Sequence, residues 1–549
     1  MDCCGIDLGT SNCLIAKITQ RLDDSFEIKC LSNLDGEESF PSVVYFEDDK
    51  TYKVGKVALK KLIEQPDSTI ELIKIRLGKT SQIRVNTPDL SFEKSPQEIS
   101  SYMLKHFDKF CETNILDAVV TVPAFFGQSE KDATMQAGKL AEIEVLSLIE
   151  EPTAAIMYHI FQLYSENGIE WLSTQGQKNI LVFDFGGGTL DLSLIDVHYL
   201  NDEVVPSVLK VGGDTTLGGN LIDFIFTKMV IEFLRENYPD DLFIEEVQIA
   251  YKEYFDSYIK GEKLRFSNSV SLDVKQFIFR LKRNLEQVKK KLSTQEETNI
   301  VLEGKYRQIP INRKNFEKSV LMCDELNIRD KIESALVQIS RARKRVDEVL
   351  LIGGSSQIPF VKEVILEAFA DMGVTKDLIF VCDDFEKAVA KGAAIQSAIL
   401  KGVQIPPFMN NKCYSVVARD IEISHSGNCK TLVPSGTPYP LEKKVSYDIE
   451  IGHSLAEKIN LRLNEIVVND DKEKKTNEIC DFQFYLPVYY TNDVINVALN
   501  IDEAGLYQIE AVHHKTKETV EFEPNKRYSL SDSDLEKALT TGKNMKDVT

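Results

Sequence analysis

The chain has 549 residues, more than one hydrophobic core usually supports, so at least two domains are expected. A hydrophobic content of 43% with 28% charged residues is that of a globular protein, not a disordered or fibrous one. The formal net charge of −21 opposes nonspecific nucleic-acid binding, and no run of eighteen apolar residues offers a membrane span.

Met1-Asp2-Cys3-Cys4 leads directly into a first strand, so no signal peptide is expected. The strand ends in Asp7-Leu8-Gly9-Thr10-Ser11-Asn12, and a second strand-like run follows from Cys13 to Ile18. In such a turn the glycines let backbone N–H groups approach an anion with no Cβ in the way. Further on, Gly78-Lys79-Thr80 looks like the end of a P-loop, but Ile73 stands where the first glycine is required, and the motif fails. Val119 to Val122 reads as a strand feeding a helix from Ser129 to Ala141.

Ile180 to Phe183 is again a strand, and Asp184-Phe185-Gly186-Gly187-Gly188-Thr189 repeats the first loop ahead of a run from Leu190 to Ile195. One such loop reads as an ordinary hairpin. Two, related as an internal repeat, predict half-sites facing one polyphosphate, with each aspartate near a divalent cation. Val349 to Ile352 followed by the helix Phe360 to Ala370 continues the alternation. The expectation is an α/β, two-lobed nucleotide-binding domain over residues 1–402.

Residues 403–412 carry a proline pair, and the domain boundary is placed there as a linker. Beyond it the period becomes two: Ile459, Leu461 and Leu463 alternate with polar neighbours, as do Ile495, Val497, Leu499 and Ile501. Asp502-Glu503-Ala504-Gly505 is a turn, and Tyr507, Ile509 and Ala511 resume the pattern. An all-β sandwich over residues 413–525 is expected, followed by a short helix and tail over 526–549. The charged run from Asp470 to Lys475 reads as a solvated loop, Ser533 and Glu536 as a capping box, and Gly542 as a helix stop. Ten cysteines without ligand spacing read as reduced thiols of a cytoplasmic protein.

Gly5 to Asn12, then Val119-Val120-Thr121-Val122-Pro123-Ala124-Phe125-Phe126, Glu151-Pro152-Thr153-Ala154-Ala155, Asp184 to Thr189, Gly213-Asp214-Thr215 with Leu217-Gly218-Gly219, and Ile352-Gly353-Gly354-Ser355 stand in one order along the chain. Together they resemble the seventy-kilodalton heat-shock chaperones of the DnaK type. The resemblance implies an actin-like ATPase fold, ATP or ADP with Mg²⁺ as ligands, and an ATP hydrolase that gates binding of unfolded polypeptide clients. A J-domain co-chaperone and a nucleotide exchange factor are implied partners; no nucleic acid or membrane is.

Residue by residue, the resemblance assigns Gly9, Thr10, Ser11 and Asn12 and Gly186, Gly187, Gly188 and Thr189 to the phosphates, with Gly213 beside them. Asp7, Glu151 and Asp184 are assigned to the magnesium, mostly through its waters, because Mg²⁺ sheds hydration reluctantly. Asp191 matches a position beside the attacking water. Lys74, in a segment that by itself reads as surface, matches the catalytic lysine. Glu286, Lys289, Lys290 and Ser293 fall on one helix face, which alone reads as solvated charge; in the family it holds ribose and adenine, with Gly353, Gly354 and Ser355 closing from the opposite lobe.

The chain departs from the family at three places. Gln357 and Lys131 stand where arginines are usual, and Pro406-Pro407 interrupts a linker that is normally leucine-rich. Weak coupling between the domains is the expectation. No residues remain for a helical lid, so bound peptides should exchange quickly. Leu432 to Pro440 resembles an entry loop of the peptide-binding sandwich, and the row Ile459, Leu461, Leu463 fits either a peptide groove or plain core. A nucleotide-holding regulator of another chaperone is the alternative reading, and a sugar kinase on the same fold is disfavoured by the sandwich.

Overall fold

A computed structural model describes residues 3–549 except 201–202, 261–265, 303, 305, 341, 343, 371–373, 383, 409–414, 426, 452–457, 469–473, 486–492 and 523–528. Two mixed sheets of matching topology organise the α/β part. In the first, Phe26–Cys30, Asn12–Gln20 and Cys3–Leu8 run antiparallel, and Asp117–Val122 and Glu144–Glu150 then add in parallel. In the second, Glu203–Asp214, Leu190–Leu200 and Lys178–Phe185 are antiparallel, followed by parallel Glu348–Ile352 and Ile379–Val381. The internal repeat of the two loops is thus a repeat of whole sheets. In each, the Asp-Gly loop joins the first strand to its antiparallel partner.

Two helices fill the space between the sheets. Ala388–Leu400 is apolar nearly all round and buried nearly all round, as such a pattern requires. It lies close because glycines allow it: a Cβ on Gly5 would meet Ala394 N at 2.1 Å, and one on Gly392 would meet Ala154 O, in the helix Glu151–Ser173, at 1.7 Å. Smaller elements extend each lobe, a sheet of Val43–Phe46, Thr51–Val54 and Thr69–Glu71 on the first and the helices Gly219–Asn237, Leu242–Ile259 and Leu272–Thr294 on the second.

The all-β part is a sandwich of two four-stranded antiparallel sheets, Asn428–Val433, Asp420–His425, Lys458–Val468 and Lys474–Tyr485 against Val445–Ile451, Asp493–Ile501, Tyr507–His513 and Thr519–Phe522. Its interior takes the period-two residues of both sheets. Ile459, Leu461 and Leu463 are 5%, 0% and 0% exposed and pack with Ile495, Val497 and Leu499, so that row is core. The turn at Asp502 forms as read, closed by Gly505 N–H donating to Asp502 O. Of the charged run, Lys474 and Lys475 open a strand and 470–473 lie outside the described residues.

Of the linker expected at 403–412, the described residues reach 408. There the backbone N–H of Val204 donates to Pro407 O at 2.9 Å, and Ile405 and Phe408 are fully buried against the helix pair between the sheets. At the end of the chain the capping residue differs from the one read. Ser531, not Ser533, accepts from Asp534 N, and the helix runs Asp532–Asn544, passing through Gly542. The chain enters the helix two residues earlier because Leu530 is already anchored, its N–H donating to Gln136 Oε1 and its carbonyl accepting from Gln136 Nε2.

Candidate functional site

The two Asp-Gly loops meet face to face. A Cβ on Gly187 would stand 2.2 Å from Ser11 Oγ, and one on Gly188 would stand 2.6 Å from Thr10 Oγ1. Only glycine lets the loops approach this closely. The second loop rests on the start of the helix Gly219–Asn237, where Gly219 N–H donates to Gly186 O and Asn220 N–H to Gly187 O. Asn220 Nδ2 is buried there without a hydrogen-bond partner among the described residues. Backbone amides, a helix start and an orphaned donor beside bare glycines fit a polyphosphate.

Behind the loops four carboxylates surround one ammonium. Lys74 is 4% exposed and ion-pairs with Glu151, the first residue of its helix. Burial opposes the charge on Lys74, but Glu151 and Asp7 outweigh it and hold the ammonium above its ordinary value. Burial pushes the Asp7 carboxyl up to about 6, aided by Glu151, while Lys74 and a hydrogen bond from Thr121 Oγ1 (3.1 Å) pull back. Asp191 rises to about 7 from burial and Glu151, although Thr189 Oγ1 donates to it at 2.5 Å and Phe125 N–H at 3.3 Å. Asp184 is raised well above its usual range, first by burial and then by Glu151, Asp191 and Asp7.

This excess of buried negative charge fits a divalent cation, with Asp7, Glu151 and Asp184 as its acceptors. Among the described residues no three acidic, histidine or cysteine side chains are grouped to hold a metal ion directly.

Gly353, Gly354 and Ser355 do not close from the opposite lobe. Their strand Glu348–Ile352 pairs in parallel with Lys178–Phe185, and Ser355 Oγ donates to Gly186 O at 2.9 Å, which places them in the same lobe as the second loop. Parallel pairing across a helical crossover made this invisible from spacing alone. Gly353 has φ +77°, and a Cβ there would meet Phe185 O at 2.5 Å and Asp184 Oδ1 at 2.6 Å.

Lys289 is engaged within its own lobe, donating to Asp223 Oδ2 at 2.8 Å and Gly219 O at 2.9 Å, which ties the helix Leu272–Thr294 to the second loop's support. Glu286 ion-pairs with Lys290 and Arg283, Ser293 Oγ donates to Lys289 O, and Gln357 Nε2 donates to Ser356 Oγ. Asn12 opens the second strand beside Pro41, and Gly9 O accepts from Ser42 Oγ. Gly213 pairs opposite Asp191 and is held by Gln338 through both its N–H and its carbonyl. Thr121, Asn220 and Asp223 carry site geometry that the sequence reading missed. Asn220 directly follows the quoted Gly218-Gly219, which was the available signal.

The sandwich docks on the first lobe beside this site. Arg419 Nη1 pairs with Glu465 at 2.8 Å and its Nη2 donates to Phe125 O at 2.8 Å, on the residue whose N–H reaches Asp191. Lys131 is 6% exposed, 3.2 Å from Glu150 and donating to Tyr439 Oη at 2.8 Å, with Nζ 4.7 Å from the Tyr439 ring. Tyr439 Oη in turn donates to Glu150. The lysine thus makes the interdomain contact without a planar fork.

The family model described as Hsp70 protein matches residues 3–253 and 253–548. Among curated proteins, the chain is 28% identical over 561 residues to one named Chaperone protein DnaK from Thermosipho africanus, covering 98% of this chain and 82% of that protein. It is 31% identical over 456 residues to a protein of the same name from Mycoplasmopsis agalactiae, covering 80% and 65%. With that of Thermotoga neapolitana it is 28% identical over 561 residues, covering 98% and 83%.

Proposed function

Since the chain belongs to the Hsp70 family over nearly its whole length, we propose that it is a DnaK-type chaperone that hydrolyses ATP between its lobes and uses the nucleotide state to gate binding of extended polypeptide by its sandwich. The observation that carries this reading is the convergence of Lys74, Asp7, Glu151, Asp184 and Asp191 behind two facing glycine loops.

Glycine amides, Asn220 and the Thr10 hydroxyl bind and orient the triphosphate, while the one hydroxyl proton of Thr189 goes to Asp191. Asp7, Glu151 and Asp184 would hold a hydrated Mg²⁺, which when bound would neutralise charge on the phosphate oxygens. Asp191 accepts from Thr189 and fixes that hydroxyl. Lys74, already a buried cation, holds the attacking water and meets the charge that develops as the bond breaks. Lys289 positions the helix start under the second loop through Asp223.

Clients are unfolded or extended apolar segments, and a J-domain protein and an exchange factor are proposed partners. A cytoplasmic setting agrees with nine free cysteines among the described residues, and no helix among them is long and apolar enough to cross a membrane. Residues 1–402 are proposed as the ATPase unit and 413–525 as the client-binding unit. The assembled acid set and Lys74 count against a regulator without hydrolysis. The test is ATP turnover of the full chain, alone and with a panel of extended apolar peptides and a J-domain protein. Turnover stimulated by either is expected. Absence of magnesium-dependent hydrolysis under all conditions would overturn the reading.

A further inference from the structure

Away from the nucleotide loops, a cavity of about 50 Å³ lies in the seam between the outer parts of the two lobes. The first lobe contributes Asp67, Glu71, Arg76 and Arg84, and the second contributes Tyr254, Phe266 and Phe279. Arg76 follows Lys74 in the same single turn, yet it faces this seam and is only 8% exposed. Its backbone is hydrogen-bonded within the turn, but its guanidinium has no hydrogen bond or ion pair among the described residues. Burial pulls its guanidinium below the ordinary value, which the neighbouring Tyr254 hydroxyl and Glu71 carboxylate offset only in part.

The two carboxylates at the cavity are already taken. Asp67 pairs with Lys275 at 2.7 Å and Glu71 with Lys282 at 2.6 Å, and both lysines are buried on the second lobe's helix Leu272–Thr294. The cavity wall itself thus holds two guanidiniums, Arg76 and Arg84, beside two carboxylates that the lysines already engage, and Glu93 stands opposite Arg84 across the strand pair. Arg84, on the strand Ile83–Asn86, is exposed and has no ion pair among the described residues. An uncompensated buried cation is costly, and proteins rarely retain one without a counter-charge. A cavity of this volume holds about three or four waters, or one tetrahedral oxyanion in their place.

We infer that the seam is a binding site for a small tetrahedral oxyanion, inorganic phosphate being the natural candidate, taken by Arg76 and Arg84 against the second lobe's aromatic wall. Guanidinium pairs suit such a ligand because their planar forks match its oxygens. Its lining comes from both lobes, so an occupant ties them together at the mouth of the nucleotide cleft and slows nucleotide release. The site does not depend on the proposed ATPase cycle, although inorganic phosphate is what that cycle releases.

The test is the thermal midpoint of the full chain in millimolar potassium phosphate against potassium chloride at equal ionic strength. It is run with the nucleotide site filled by a non-hydrolysable ATP analogue and Mg²⁺, so that phosphate cannot enter there. A rise of about 2 °C or more is expected in the unmodified protein and less than half of it in Arg76→Leu and in Arg84→Gln. Arg76→Leu removes an unpaired buried charge and should fold, and Arg84 is exposed, so its variant carries no folding risk. An equal rise in all three proteins, or none in the unmodified one, overturns the site. Failure of the analogue itself to bind would instead count against the ATPase reading; the apo protein with the same two variants then decides the seam by the same criterion.

Discussion

Lys74 sits in a chain segment with no local sign of burial, yet it is the one ammonium among four carboxylates, of which Asp184 and Asp191 are buried. Its partner Glu151 comes from a helix start 77 positions away, so the environment is made by the packing of distant elements. Lys74→Ala should leave ATP affinity close to unchanged and slow single-turnover hydrolysis by roughly 10²–10³, the usual effect of losing one preorganised donor. Unchanged turnover in rapid-mixing experiments would remove Lys74 from the chemistry. Gly353 makes a second case at this scale. Its φ of +77° and the 2.5 Å approach of Phe185 O leave no room for a Cβ, and the atoms it would strike are backbone and Asp184. Gly353→Ala should therefore weaken nucleotide binding by displacing the second loop, even though Gly353 bears no functional group. Calorimetric titration with ADP and Mg²⁺ measures this, and an unaltered affinity would show that the loop tolerates the shift.

The segment after the sandwich forms an element with a partner of its own. The helix Asp532–Asn544 lays Leu535 and Ala538 against Leu140 of the first lobe, and Lys546–Asp547 adds in parallel to the edge strand Thr51–Val54. Strand addition covers an open sheet edge, and His106 Nδ1 lies 2.6 Å from Asp547 Oδ2. Leu535 is 4% exposed, and truncating it to alanine should cost about 2–5 kcal/mol of docking, seen as faster amide exchange in residues 51–54. Burial alone would raise the Asp547 carboxyl, but bonds from His106 and Thr549 outweigh it and hold it below its ordinary value. A depressed carboxylate contributes its stabilisation in full above the unfolded value near 4, and loses it as pH falls through the folded value. Exchange protection of 51–54 should thus decline on acidification in the native chain. In Asp547→Asn that decline should be shallower; an identical pH profile would show that Asp547 plays no part.

On the scale of the whole molecule, the sandwich is joined to the ATPase part by buried charge. Glu465 is 4% exposed and accepts from Arg419, from Tyr507 Oη at 3.0 Å and from the Gln128 N–H at 3.3 Å, while Arg419 also holds the Phe125 carbonyl. Phe125 N–H reaches Asp191, so one residue links the domain contact to the carboxylate cluster. Removing one member of a buried pair leaves the other uncompensated, at about 3–5 kcal/mol. Arg419→Met should release the sandwich, seen as a larger radius of gyration by X-ray scattering, and abolish any effect of peptide on ATP turnover. A compact variant with intact peptide response would show that Lys131 and Tyr439 suffice. Lys131, which stands in place of the usual arginine, touches Glu150 and Tyr439 at once.

Local order carried a great deal of this. The glycine loops, the aspartates that precede them and the period-two strands were legible because turn chemistry and alternation are properties of adjacent residues. They were enough for the two-lobed α/β plan, the sandwich, and the two facing aspartate–glycine loops, whereas Glu151, Asp191 and Lys74 were singled out only by the family resemblance. The linker's burial, the lobe to which Gly353 belongs, the core role of Ile459, Leu461 and Leu463, and the docking of residues 530–549 were decided by tertiary packing. Each depends on which distant strand edge or helix face lies opposite, and a linear pattern shows that a residue is apolar or charged without showing what it will meet.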